Sequence, residues 1–232
     1  MKNRVIIALA LVVAGVSANA QTLQVTIQPI LCAETNGSNQ SPFLGYLDYA
    51  AKIYQQANIV LNVLTPTVLN NSTYNQFSYA NASNLVNAAG GGQSSNPLVV
   101  NAWFVDNVVG AGVYGFAFFD QPYMVMDTTN IAGYSALGRV DTFSHELGHV
   151  LDLPHYTGAN APNNLMASGG VRNIPQSLAN VAPDGLAYDS LTHNQINIMR
   201  SSQFAQPVPE PATMAVLGLG LAGLAARRRR SA

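Results

Sequence analysis

The chain has 232 residues, of which 48% are hydrophobic and 9% are charged, and its formal net charge is −1. This length suits one domain of ordinary size once the two chain ends, which have the composition of targeting segments, are set aside. Residues 21–206 carry four cationic side chains against ten acidic ones, a formal charge of −6. This body therefore lacks the basic surface that nucleic acid or an anionic membrane requires of a partner.

The N-terminal segment has the three parts of a secretory signal peptide. Two cationic residues precede an apolar run at 5–16, and Ala18-Asn19-Ala20 offers small side chains at a cleavage position. We therefore predict that residues 1–20 form a signal peptide and that the mature chain begins at Gln21. A permanent membrane helix is the weaker alternative, because the apolar run is shorter than the roughly 20 residues needed to span a bilayer.

The mature body begins with a predicted strand and a predicted helix. Residues 23–32 alternate in hydrophobicity, as strands do, and end at Cys32. Cys32 is the only cysteine, so no intramolecular disulfide can form, and we expect a buried core thiol. Ser41 and Pro42 suit the N-cap and first position of a helix whose apolar face continues to residue 57. A further strand is predicted at residues 59–64.

The middle of the chain is less regular. Residues 70–97 are polar and glycine-containing, which predicts loops with at most a short helix around residues 82–88. Apolar runs at residues 98–105 and 124–127 are typical of buried strands. Residues 110–119 combine glycines with aromatic side chains and suit either an exposed edge strand or a packed core strand.

The most informative stretch of the chain is HELGHVLDLPH at residues 145–155. On an α-helix, His145 and His149 lie on one face about one turn apart, so both can offer a ring nitrogen to the same metal ion. Glu146 lies about 100° further round the helix, where its carboxylate can reach a water molecule that the metal activates. We therefore predict two metal ligands and a general base.

A third ligand requires the chain to leave the helix. Asp152 tolerates a left-handed backbone and Pro154 cannot continue a helix, so the helix should stop near Leu151. His155 would then return to the metal and leave a fourth position open for water, as in catalytic zinc sites. The plain alternative is a surface helix with three of the chain's four histidines at ligand spacing by chance. His193 instead belongs to the capped start of a C-terminal helix.

The motif resembles the signature of the metzincin clan of zinc peptidases, HExxHxxGxxH followed by a methionine-containing turn. Asp152 stands where the signature has glycine, and Ser168 stands where two branches of the clan carry a tyrosine near the metal. Met166 is the candidate for the Met-turn. The resemblance implies a metzincin-like zinc peptidase domain at residues 21–206. Its fold would be α+β, with a twisted mixed β-sheet, an active-site helix and a short C-terminal subdomain ending in a helix.

The resemblance also implies an activity. The protein would be a secreted zinc-dependent endopeptidase that hydrolyses a protein or peptide substrate with a zinc-activated water, using Glu146 as general base. In that family an edge strand pairs with the extended substrate, which favours the edge placement for residues 110–119. The hypothesis from another class is a non-catalytic, zinc-stabilised binding protein of the cell surface or biofilm matrix, which would have no use for the base.

The C-terminal segment, residues 207–232, has three parts: Pro209-Glu210-Pro211, an uncharged apolar stretch at 212–226, and four arginines at 227–230. This order resembles the PEP-CTERM sorting tail of bacteria. The resemblance implies transient inner-membrane attachment through the apolar stretch, an exosortase-type sorting machinery as partner, and a final location outside the cell or in the surface matrix of a Gram-negative-type bacterium. The arginines would stay cytoplasmic under the positive-inside bias. A retained anchor is the alternative.

Overall fold

The computed structural model of the protein describes residues 21–78, 91–110 and 112–208. Nine strands lie in this part of the chain: β1 (Leu23–Ala33), β2 (Ile59–Val63), β3 (Thr67–Asn70), β4 (Gln76–Ser78), β5 (Val99–Val105), β6 (Asn107–Val109), β7 (Gly115–Ala117), β8 (Tyr123–Asp127) and β9 (Gln206–Pro207). The α-helices are α1 (Leu47–Gln55), α2 (Ser72–Asn75), α3 (Thr128–Gly133), α4 (Thr142–Val150) and α5 (His193–Ser201). The predicted signal peptide, the predicted helix at residues 82–88 and most of the predicted tail lie outside the described residues.

The main sheet is mixed and is organised around its longest strand, β1. Its strands follow the order β2-β1-β5-β8-β7, and β3 and β9 also pair with β1. Strand β1 runs parallel to β2, β3 and β5, strand β8 runs parallel to β5, and β7 pairs antiparallel with β8 at the edge of the sheet. The predicted class, α+β with a mixed sheet, is confirmed. Of the two alternatives for residues 110–119, the edge strand is the one observed.

Two hydrophobic clusters cover the two faces of this sheet. The larger cluster packs the sheet against α1 and α4 and includes Phe104, Phe143 and Leu147. The smaller cluster lies on the other face and includes Trp103 and Cys32. Burial raises the pKa of the Cys32 thiol to about 12, so the thiol stays protonated and inert. The expectation of a buried core thiol agrees with this position.

Helix α1 begins five residues later than the sequence pattern predicts. The Ser41 hydroxyl, predicted to cap this helix, instead donates a hydrogen bond to Asn75 Oδ1 at 3.0 Å, and the Ser41 N–H donates to the Cys32 carbonyl. The helix starts after Tyr46, which has a left-handed backbone with φ of 42°. The Ser41 hydroxyl therefore bonds a residue that is distant in sequence and does not cap the helix. A local sequence pattern cannot predict such a long-range hydrogen bond. The short helix α2, capped by Asn71, was also not predicted.

Helix α4 is buried on every side. Phe143, Leu147 and Val150 face the core as predicted, whereas Val140 precedes the helix. The opposite side, which carries the histidines of the motif, lies beneath β7 and the segment that follows the helix, and not on an open surface. Packing on both sides fixes the helix firmly, which suits a helix that carries a site.

No helix in the described part of the chain combines the length and apolar character needed to cross a membrane.

Candidate active site

The end of helix α4 brings the third histidine of the motif back to the other two. The helix ends at Val150, and Asp152 takes a left-handed backbone with φ of 68°. The Leu153 N–H then donates to the Gly148 carbonyl at 3.0 Å, which turns the chain across the helix end. The predicted helix end and the left-handed Asp152 are both observed, and His155 follows the turn directly.

The three imidazoles converge on one point. Their ligand atoms all lie within 4.8 Å of one another, and the Nε2 atoms of His145 and His149 are 3.2 Å apart. Two nitrogens bound to one tetrahedral zinc at about 2.05 Å would be separated by about 3.3 Å. The observed spacing therefore matches a shared metal ion, and the cluster of His145, His149 and His155 can hold one.

The hydrogen bonds of the rings test whether a cation fits between them. The Nδ1 atom of His145 bonds the Leu165 carbonyl at 2.8 Å, and Nδ1 of His149 bonds the Leu153 carbonyl at 2.7 Å. A carbonyl only accepts, so each Nδ1 carries the proton and each Nε2 carries a lone pair. Two lone pairs that face each other repel unless a cation lies between them. The tautomers set by these carbonyls are those that a metal site needs.

The environment also keeps the histidines neutral. Burial and the nearby Arg172 guanidinium lower the pKa of His145 well below its usual value. Burial likewise lowers the pKa of His149 to about 4, and the pKa of the more exposed His155 is lowered by burial and by Arg172. A neutral imidazole is the form that binds a metal, so the site is prepared for a metal ion across the physiological pH range.

Glu146 is buried beside the histidines, and burial raises the pKa of its carboxyl to about 8. Strand β7 passes directly over this side chain. A Cβ atom built on Gly115 would lie 3.0 Å from Glu146 Cγ and 2.8 Å from the Val125 carbonyl oxygen, closer than real side chains allow. Only glycine therefore lets the edge strand and the Glu146 carboxyl approach one another.

Met166 forms an apolar floor under helix α4. Its sulfur lies so close to Gly148 that a Cβ atom there would come within 2.5 Å of Sδ. The Met166 N–H donates to Asn164 Oδ1, and its carbonyl accepts from the Tyr156 N–H at 2.8 Å. The turn at Met166 is thus tied to the residue that follows His155. Ser168, by contrast, is exposed and makes no side-chain hydrogen bond to a described residue.

Arg172 connects the Met166 turn to the start of helix α4. Its Nε forms a short ion pair with the Asp141 carboxylate, and its Nη1 donates to the carbonyls of Leu165 at 3.1 Å and Ala167 at 2.9 Å. Nη1 also lies against His145 Nδ1. Because Nη1 has only two N–H bonds and two carbonyls accept them, His145 Nδ1 keeps its own proton.

A cavity of about 460 Å³ opens beside these groups. It is lined by side chains of the motif and by residues of β7, of the α3 region and of the segment after Met166, among them His145, Glu146, His155, Tyr114, Tyr134, Arg139 and Arg172. Arg139 and Arg172 are functional candidates that sequence reasoning did not single out. A usable signal was present: the body has only four cations, and these two lie six residues before His145 and six residues after Met166.

Comparison with known proteins gives three findings. Residues 207–230 match the PEP-CTERM protein-sorting motif, and no curated protein sequence matches the chain. Among solved structures, the chain is similar to mature mirolysin of Tannerella forsythia in complex with a cleaved peptide, with 15% identity and a TM-score of 0.51 over 78% of this chain and 92% of mirolysin.

Two further structures are similar with lower TM-scores. They are the archaemetzincin of Archaeoglobus fulgidus complexed with malonate (16% identity, TM-score 0.42, 75% of this chain and 99% of that one) and a zinc-dependent peptidase of Methanocorpusculum labreanum (12% identity, TM-score 0.41, 75% and 99%). At these identities the mirolysin likeness shows the fold alone. The α+β fold with a mixed sheet that the sequence predicts is thereby confirmed.

Breaking the ion pair between Arg172 and Asp141 should destabilise the protein. Asp141→Asn leaves the buried Arg172 charge without its partner, and we expect it to lower the free energy of unfolding by about 3–5 kcal/mol. Asp184→Asn is the matched control, because Asp184 pairs with Lys52 but its side chain is 65% exposed, and it should cost less than about 1 kcal/mol. Urea unfolding of the metal-free proteins measures both. Equal losses would contradict the structural role of the pair.

Metal binding should survive mild acid. Protons compete for the imidazoles only below their pKa values, and burial depresses these, to about 4 for His149, below the usual value of about 6.5. Retention of zinc should therefore persist through pH 5.5 and be lost as the pH falls toward 4. Equilibrium dialysis at a series of pH values, followed by metal analysis, checks this. Half-loss at pH 6.5 or above would show ordinary, solvated histidines.

Proposed function

We propose that the protein is an exported zinc-dependent endopeptidase, with His145, His149 and His155 as zinc ligands and Glu146 as general base. The observation that carries this proposal is the pair of Nε2 lone pairs held 3.2 Å apart beside a buried carboxyl group and an open cavity. A structural zinc site closes its fourth position and does not need a base or a cavity. The fold shared with mirolysin, solved with a cleaved peptide, supports the same conclusion.

The chain's own residues prepare the reaction. Zinc, when bound by the three imidazoles, would lower the pKa of a water molecule toward 7 and polarise the carbonyl of the substrate. The carbonyls of Leu165 and Leu153 hold the first two rings in the ligand tautomer. Met166 closes the apolar side beneath the helix, which keeps bulk water from the back of the site.

Glu146 would move the proton. Burial raises the pKa of its carboxyl to about 8, so the ionised carboxylate has a high proton affinity and would take a proton from the attacking water. A cation at the histidines would favour this ionised form. The same carboxyl then passes that proton to the nitrogen of the leaving amine. Strand β7 crosses Glu146 at Gly115 and would confine the carboxyl in the position from which both transfers occur.

The substrate would bind as an added strand. Strand β7 pairs only with β8 among the described strands and presents its outer edge at the end of the sheet. Its residues Gly115–Ala117 are half-buried and contact helix α4, so a peptide extended along this edge would pass over Glu146. Main-chain hydrogen bonds to an edge strand hold a peptide without regard to its sequence, which leaves selectivity to the cavity.

We further propose a route to the cell surface. Residues 1–20 would direct export and be removed, residues 21–206 would form the catalytic body, and residues 207–232 would serve as the sorting tail. The apolar stretch at 212–226 would hold the tail transiently in the inner membrane until an exosortase-type peptidase cuts it. The match of residues 207–230 to the sorting motif supports this proposal.

Glu146→Ala should abolish cleavage of a diverse peptide library while zinc remains bound, because the ligand set is intact and only the base is removed. A loss of 10²-fold or more, on the order of what general acid–base catalysis contributes, is expected. Asp152→Asn is the matched control: it changes the other acid of the motif, which is exposed, to a residue that also tolerates a left-handed backbone. It should keep both activity and zinc.

Mass spectrometry of the cleavage products and zinc analysis of all three proteins supply the readout. Cleavage that persists in the Glu146→Ala protein would remove Glu146 from the mechanism. A wild-type protein that binds zinc but cuts no peptide would favour the non-catalytic matrix protein.

The tail proposal predicts processing that depends on the host. Produced with its full sequence in a bacterium that has an exosortase-type peptidase, the protein should lose mass at its C-terminus. In the same strain without that peptidase it should keep residues 207–232 and fractionate with the membrane. Intact mass and cell fractionation measure this, and a full-length C-terminus in both strains would contradict it.

A further inference from the structure

A guanidinium group forms one wall of the cavity beside Glu146. Arg139 is 3% exposed, and its Cζ lies 4.4 Å from the ring centre of Tyr114 and 5.2 Å from that of Tyr134. Its Nη2 donates to the Gly169 carbonyl at 2.9 Å. Its Nε is buried and makes no hydrogen bond within the described residues. The two aromatic faces and the carbonyl hold the planar group in one orientation, with donor capacity left over.

The positive charge of Arg139 is only partly balanced by the described residues. Within the described residues, the only carboxylate at ion-pair distance from it is Asp141, whose Oδ1 is 3.7 Å from Arg139 Nε, and the other oxygen of Asp141 forms the short ion pair with Arg172. Two guanidinium groups thus share one carboxylate. Burial raises the pKa of the neighbouring Asp189 well above its usual value, so that group favours its neutral form. A divalent ion, if held by the three histidines, would outweigh an ionised Glu146, so the loaded cavity would remain positive.

The cavity has room for a side chain to reach this wall. Its volume is about 460 Å³, and four glycines form part of its lining: Gly112, Gly115, Gly169 and Gly170. A Cβ atom on Gly112 or Gly170 would meet nothing within 4 Å, so the rim is open there. A buried cation that lacks a full partner is costly, and an anionic ligand in the cavity would supply that partner.

We propose that this cavity selects a carboxylate next to the cleaved bond, and that Arg139 is the residue that binds it. The carboxylate belongs either to an Asp or Glu side chain of the substrate or to the free C-terminus of a short peptide. These two sources present the same planar group, which a guanidinium recognises through paired N–H donors. The inference rests on the proposed peptidase function and names its substrate class.

The test uses peptides in pairs. Each pair differs only by Glu or Gln at one of the four positions that flank the cleaved bond, and each peptide is made with a free and with an amidated C-terminus. If the cavity binds a side-chain carboxylate, the kcat/KM of the wild-type protein should be about tenfold or more higher for Glu than for Gln at one position. If the cavity binds the C-terminal carboxylate of the peptide, amidation should lower kcat/KM by a similar factor for every pair.

Variants of Arg139 assign the preference to this residue. Arg139→Gln should bring the ratio of kcat/KM between the carboxylate peptide and its neutral partner to about 1. Arg139→Lys should keep part of this preference because the charge remains. Each ratio compares two peptides on one protein, so a general loss of stability or zinc cancels. A wild-type ratio of about 1 for every pair, or an unchanged ratio in Arg139→Gln, would overturn the proposal.

A binding measurement separates this proposal from the peptidase function itself. Calorimetry of the same peptides with the metal-free protein carrying Glu146→Ala should show tighter binding of the carboxylate member, again by about tenfold, and Arg139→Gln should remove the difference. Such binding without cleavage by the wild-type protein would overturn the peptidase function and keep the carboxylate site. Cleavage without any carboxylate preference, together with equal affinities for both peptides of a pair, would keep the peptidase function and overturn the carboxylate site.

Discussion

The ion pair between Arg172 and Asp141 is the interaction on which the site depends. Asp141 lies at the start of helix α4, and Arg172 lies in the segment that follows the Met166 turn, so the pair joins two segments that are distant in sequence. The same guanidinium donates hydrogen bonds to the carbonyls of Leu165 and Ala167. Since the Leu165 carbonyl also orients the His145 ring, one buried cation sets both the floor of the site and the tautomer of its first ligand. Such pairs are costly to bury, and they persist where geometry matters more than stability.

Close approach is the second constraint, and two glycines provide it. Gly148 lets Met166 lie against one side of helix α4, and Gly115 lets the edge strand cross the opposite side over Glu146. A side chain at Gly115 would meet the Val125 backbone carbonyl and the Glu146 side chain, and one at Gly148 would displace the Met166 side chain. The helix is therefore confined between a sulfur atom and a strand. This explains why all nine of its residues are buried although it carries three polar functional groups.

Features set by interactions between residues close in sequence were predictable, and features set by contacts between distant residues were not. The strands at the centre of the sheet, the end of helix α4 and the left-handed Asp152 follow from hydrophobic period and backbone preference, which act over a few residues. The start of α1 could not be predicted, because the Ser41 hydroxyl bonds Asn75 across the fold. Arg139 and Arg172 acquire their importance only when the cavity forms around them. The three histidine ligands could be predicted from their spacing because all three lie in a single helix and the turn that follows it.

The turn after helix α4 has a consequence for assembly. The Leu153 carbonyl, which orients His149, belongs to the same turn that returns His155, so one local bend arranges two of the three imidazoles. All three fall within eleven consecutive residues. Closing so short a segment costs little chain entropy, and contacts this local form quickly. Metal capture by the segment consequently does not have to wait for the strands of the sheet to pair, and a captured ion would bias the chain toward the native bend while the rest of the fold condenses around it.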